Sequence, residues 1–152
     1  MKQYDTIIFV DSDDTARAVM AATIMRSADL VTEPRILSRG LVVLFPQPVN
    51  PKAEAILRSH DMTAAEHTAS QLSEDDLTQK TLVLVMEENQ KPKAEELLNY
   101  RTDVYSISEF TGFSGDIDPL FGEDLAQYGR CWELLRELVR IAAKRINEEE
   151  QN

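Results

Sequence analysis

The residues best suited to chemistry crowd into one stretch, Asp11-Ser12-Asp13-Asp14-Thr15-Ala16-Arg17, directly behind the apolar run Ile7-Ile8-Phe9-Val10. Carboxylates this close together can hold a hard cation, or divide the work of nucleophile and acid–base. Arg17, with backbone N–H groups at a helix start, can instead grip phosphoryl oxygens through charge-assisted, bidentate hydrogen bonds. The two chemistries oppose each other. Two unit charges 4 Å apart interact by about 1 kcal/mol in bulk water and about 4 kcal/mol near a protein surface. One arginine and some backbone dipoles would hardly outweigh three carboxylates facing a phosphate dianion. Either Asp11 or Asp13 turns inward and takes the anion's place against the N–H donors, or the acids bind a cation, with Asp11 and Asp13 as the ligands if there is a metal at all. The plain alternative is a solvated acidic turn that caps the next helix. Outside this stretch the signals are weaker. His60 and His67 lie seven apart with no third ligand, and read as surface or capping residues. Asp116 reads as a solvated turn residue, and Cys131 as a core thiol on an apolar helix face.

The elements that must position the stretch are legible as alternating strands and helices. Strands are expected at 6–10, at 35–38 or its continuation "GLVVLF" (40–45), at 81–86 and at 104–107. Their runs are continuously aliphatic rather than alternating, which suits a parallel sheet covered on both faces. Helices are expected at 15–30, 50–60 and 91–100, with a short capped turn at 73–77. Asn50-Pro51 is a good cap and first-turn pair. From Leu125 onward, Tyr128, Trp132, Leu135, Leu138, Val139, Ala142 and Ile146 recur at helical spacing on one stripe. The class is therefore α/β, with a doubly wound sheet. In such sheets ligands bind beyond the carboxyl ends of the strands, where residues 11–17 fall.

With 152 residues, 43% hydrophobic and 28% charged, the chain is expected to form one globular domain over 1–147 with a charged tail at 148–152. Its net charge of −11 argues against nucleic acid and anionic membrane as partners. A single cysteine excludes an internal disulfide. "MKQYDT" runs straight into a strand, and no segment is apolar enough to span a bilayer, so a cytoplasmic location is expected.

Two resemblances bear on function. "DSDDT" (11–15) is similar to the Asp-x-Asp-x-Thr pattern of haloacid dehalogenase-type phosphatases, which would make Asp11 a nucleophile and Asp13 an acid/base with magnesium. Lys80 or Lys91 could supply that family's lysine, but no downstream acidic metal motif follows. A second resemblance covers nearly the whole chain, to the low-molecular-weight protein tyrosine phosphatase family. "IIFVDSDDTARAVMAATIMR" (7–26) resembles its first strand, phosphate loop and first helix. "ILSRGL" (36–41), "VNPKAEAILRSH" (49–60), "EHTASQLSEDDL" (66–77), "TLVLVMEEN" (81–89) and "DIDPLFGEDLAQYGRCWELL" (116–135) follow in the family's order.

That resemblance implies a four-stranded parallel sheet in the order 2-1-3-4. It implies residues 11–17 as the phosphate loop, Arg17 as its arginine, Asp118 as the general acid, and Leu120 and Phe121 as cleft walls. It also places Asp11 where the family has its nucleophilic cysteine. Ala18 replaces the supporting serine, Val19 a proline, and Asp13 and Asp14 a glycine and an asparagine. The implied protein is a catalytically impaired relative without a cofactor, a binding or regulatory module whose partner is a phosphoprotein or another protein. The readings left open beside it are a magnesium-dependent phosphatase that uses Asp11, and an ion-sensing domain.

Overall fold

The computed structural model describes residues 4–151, with only the backbone of Glu150 and Gln151. Met1–Gln3 of the expected domain and Asn152 of the expected tail lie outside the described residues. Four parallel strands form one sheet, β1 (Thr6–Asp11), β2 (Arg35–Gly40), β3 (Thr81–Val85) and β4 (Val104–Ser106), in the order β2-β1-β3-β4. β1 is central. Asp11 pairs with Gly40 on one side and Val10 with Val85 on the other, so the chain leaves β1 into the crevice between its neighbours.

The continuous apolar runs arise because both faces are covered. Ile7 and Phe9 point into a large core built with α1 (Arg17–Arg26), α2 (Pro51–Ser59) and α5 (Leu125–Gln151). Ile8 and Val10 point into a smaller one closed by Leu72 and by Ala94 and Leu98, on and just after α3 (Lys91–Leu97). Asn50 caps α2 as its sequence suggests, its side chain accepting from the N–H groups of Lys52 and Ala53. The helical stripe from Leu125 packs as expected, with Trp132, Leu135 and Ile146 fully buried. α5 runs on through residues 148–151, and Glu149 accepts a hydrogen bond from the Tyr4 hydroxyl at 3.3 Å.

Two expectations for the elements change. The run 40–45 is not a strand beyond Gly40. The N–H groups of Leu41 and Val42 donate to the carbonyls of Asp11 and Ser12 at 3.0 Å, so they buttress the loop after β1 rather than extend a ladder. Val42, Leu44 and Phe45 are left in solvent. The expected strand at 104–107 ends at Ser106, which caps a one-turn helix, α4 (Ile107–Thr111), through a capping box with Glu109.

Candidate functional site

The loop from Asp11 to Arg17 is where the topology predicts a site, and its conformation is set by its own carboxylates. Asp11 is 2% exposed. Its Oδ1 accepts the N–H of Asp14 at 2.7 Å and its Oδ2 accepts the N–H of Ala18 at 3.0 Å. α1 begins at Arg17 with Ala16 in the cap position, where alanine has no oxygen to offer. Asp11 therefore supplies that cap from the strand end, a negative charge on the positive end of the helix. Burial pushes the Asp11 carboxyl above its ordinary value, with Arg17 and the two N–H donors opposing.

Asp14 turns the opposite way, behind the loop. Its backbone is left-handed, with φ of 62°, a conformation that short polar side chains tolerate. Its Oδ2 accepts from Ser70 N–H at 2.9 Å, and its carbonyl meets His67 Nε2 at 2.7 Å. Oδ1 has no hydrogen-bond partner of ordinary geometry, although the Ser38 hydroxyl stands near enough to favour the charged form. Burial raises the pKa to about 6 against the help of Ser38, Ser70 and His67, with Asp11 adding to the rise. Asp13 stays in solvent, and one of its oxygens accepts from the backbone N–H and hydroxyl of Thr15. The three acids thus diverge. Among the described residues no group of three His, Cys, Asp or Glu side chains could hold a metal.

Arg17 is buried and its guanidinium is engaged within the chain. One nitrogen donates to Glu87 at 2.8 Å and to the Ile117 carbonyl at 2.6 Å, and another reaches the Ser12 hydroxyl at 3.3 Å. The Gln90 amide donates to the same Glu87 oxygen at 3.1 Å. The Ile117 contact draws the 116–121 loop to Arg17, so Asp118, an exposed residue, stands beside the site. Asp116 is more than a solvated turn residue, since its Oδ1 caps the Glu88 N–H at 2.9 Å. Of the two expected cleft walls, Leu120 turns into the main core and faces only a small cavity behind the loop. Phe121 is 98% exposed. A cleft of about 520 Å³ opens beside the loop, lined by Ser12, Asp13, Leu41, Val42, Glu87 and Pro119 among others.

Cys131 is buried on α5, within electrostatic reach of Asp11, Arg17 and Asp118. Burial pushes its thiol up to about 12, with the two acids adding to the rise, so it is no nucleophile at neutral pH. Sequence reasoning did not find Glu87, Gln90, Ser70 or the Ile117 carbonyl. His67, expected as a surface or capping residue, instead holds the loop at the Asp14 carbonyl. His60 is stacked on Trp132 at 3.4 Å, away from the loop.

Comparison with known proteins identifies the scaffold. The family model for low molecular weight phosphotyrosine protein phosphatase matches residues 6–152. The low molecular weight protein-tyrosine-phosphatase PtpB of Staphylococcus haemolyticus is 30% identical over 136 residues, covering 88% of this chain and 94% of that protein. YwlE arginine phosphatase from Geobacillus stearothermophilus superposes with a TM-score of 0.88 at 25% identity, covering 98% of this chain and 96% of its own. A YwlE arginine phosphatase mutant with a phosphorylated active-site serine gives a TM-score of 0.85 at 27% identity, covering 96% and 98%.

Proposed function

This chain belongs to the low molecular weight phosphotyrosine protein phosphatase family, and on that premise we propose that it is a non-catalytic member, a binding or regulatory module. In this reading Asp11 stands at the position of the nucleophilic cysteine, residues 11–17 are the phosphate loop, Arg17 is its arginine and Asp118 occupies the general-acid position. The observation that carries the reading is the pair of hydrogen bonds from Asp14 and Ala18 to the two oxygens of Asp11.

A nucleophile must aim a lone pair out of the loop at phosphorus. Both Asp11 oxygens instead face loop N–H donors, in the role of a helix cap. Hydrogen bonds to a charged group contribute about 1.5–3 kcal/mol each, so turning Asp11 outward would add several kcal/mol to any barrier. Arg17 is likewise paired with Glu87, and would have to leave that carboxylate or share it to bind a phosphate. The partner in this reading is a phosphoprotein or another protein, and the location is the cytoplasm.

The second reading is an aspartyl-phosphate enzyme that uses Asp11 with Mg²⁺. The phosphorylated active-site serine in the YwlE mutant favours it, because a side-chain oxygen accepts phosphoryl in the active site of that related protein. One panel separates the two: turnover of an aryl phosphate by wild type, Asp11→Cys and Asp11→Cys/Ala18→Ser, with and without Mg²⁺. The non-catalytic reading expects turnover only in the cysteine variants, highest in the double variant. Wild-type turnover that Mg²⁺ stimulates and Asp11→Ala abolishes overturns it.

A further inference from the structure

The end of α1 farthest from the loop meets the second half of α5 in a groove of about 510 Å³. Ile24, Ala28, Val139 and Ala143 give it apolar surface. Asn147 holds it in shape. Its Nδ2 donates to the Asp29 carbonyl and its Oδ1 accepts the Val31 N–H, both at 2.8 Å. The groove is separate from the Asp11–Arg17 loop, because the 10 residues of α1 put about 15 Å between them.

The charge of this groove departs from that of the chain. The chain carries 27 acids against 16 lysines and arginines, yet three cations line the groove against two acids. Arg136, Arg140 and Lys144 stand at four-residue intervals, so they form one ridge of α5, about 12 Å long. Glu148 continues the ridge, and Asp29 is joined to its neighbour Asn147, so the two acids share the far end. Arg136 pairs with Glu133 at 3.4 Å and lies over the Trp132 ring, and Arg140 pairs with Glu137 at 2.6 Å. These four charged side chains are all more than half exposed. Pairs of that kind contribute about 0–1 kcal/mol, so a partner can compete for both arginines. Lys144 forms no ion pair among the described residues.

Spacing then selects the occupant. A single anionic head group needs its cations at one point. Three cations a turn apart match a partner whose anions repeat at the same interval, which is a second helix laid along the ridge. The acids at the far end complement a cation on that helix.

We propose that this groove docks an amphipathic helix of a partner protein. Acids at four-residue intervals lie over Arg136, Arg140 and Lys144, a lysine or arginine meets Asp29 and Glu148, and apolar side chains cover Ala28 and Ala143. The proposal is independent of whether the loop is catalytic.

The test uses a capped alanine- and leucine-rich helical peptide with three glutamates at four-residue intervals followed by one lysine. One control has lysines in place of the glutamates, and another has the same residues in an order that breaks the interval. Binding to the full chain is measured by calorimetry at two salt concentrations and by amide chemical shifts. Dodecanoate binding and the mass of the free chain in solution are measured alongside. The glutamate peptide is expected to bind at least about tenfold more tightly than either control, a difference of about 1.4 kcal/mol, and to weaken several-fold at high salt. Shifts should centre on Ser27–Asp29 and on residues 136–148, leaving Asp11–Arg17 unmoved. Arg140→Glu/Lys144→Glu, at two exposed positions, should reverse the preference between the glutamate and lysine peptides with an unchanged melting curve.

Equal binding of the glutamate peptide and either control overturns the proposal. So does binding that shifts the Asp11–Arg17 loop instead, or no binding of the glutamate peptide to folded protein. Dodecanoate filling the groove where the peptide does not, or self-association that the charge reversal abolishes while the peptide fails to bind, gives the groove another occupant and overturns it too.

Discussion

Replacing Asp14 by asparagine should stabilise the fold at neutral pH by up to about 3 kcal/mol. Asp14 is fully buried, one of its oxygens has no hydrogen bond of ordinary geometry, and burial raises its carboxyl from 3.8 to about 6 against the help of Ser38, Ser70 and His67. At about 1.4 kcal/mol per unit, that rise corresponds to about 3 kcal/mol. The sign follows from linkage. A folded-state pKa above the unfolded value means that the native state favours the proton, so this contribution is fully present below pH 3.8 and is lost as pH rises through about 6. Asparagine keeps the short side chain that tolerates the left-handed backbone, and its oxygen can still accept from Ser70, while the buried charge is gone. Urea and thermal unfolding of wild type and Asp14→Asn from about pH 4 to pH 8 check this. The curves should converge at the acid end and separate through about pH 6, with a melting difference of roughly 6–12 °C at neutral pH. A variant less stable than wild type at pH 7.5, or a difference independent of pH, would refute the reasoning. It would mean that His67 and Ser70 outweigh the cost of burial.

Three further outcomes follow from the same geometry. Glu87→Gln should cost about 3 kcal/mol in chemical denaturation, because it leaves the buried Arg17 guanidinium without its carboxylate. Gly40→Ala should cost about 1–3 kcal/mol and speed amide exchange of the loop, since its Cβ would stand 2.8 Å from the Asp13 backbone and 2.6 Å from Val43 Cγ2. Cys131, with its thiol raised to about 12 and buried, should resist a thiol reagent at pH 8 in the native protein and react at once in denaturant.

Much of the scaffold is local, and so it was legible. Ile7-Ile8-Phe9-Val10 and Thr81-Leu82-Val83-Leu84-Val85 announce central parallel strands because each strand is buried on both faces. Asn50-Pro51 and the apolar stripe from Tyr128 to Ile146 announce helices because caps and spacing act within one or two turns. The position of the Asp11–Arg17 loop also followed, since a doubly wound sheet places its first loop at the crevice. The "GLVVLF" run misled because its composition suits a strand, while its N–H groups are taken by the carbonyls of Asp11 and Ser12. α4 was missed because one turn capped by Ser106 carries too little periodicity to read.

What the loop does with its charges was decided only in three dimensions. The sequence alone established three acids and an arginine within seven residues, and that they could not all face one phosphate. It left open which acid turns in. The structure turns Asp11 onto the N–H groups that start α1, buries Asp14 behind the loop, and leaves Asp13 in solvent. Arg17 finds its partners 70 and 100 residues away, at Glu87 and the Ile117 carbonyl. Spacing along a chain encodes only which neighbours share a face. Which oxygen meets which N–H at the centre of a sheet depends on the register of strands and loops that meet only once the fold has closed.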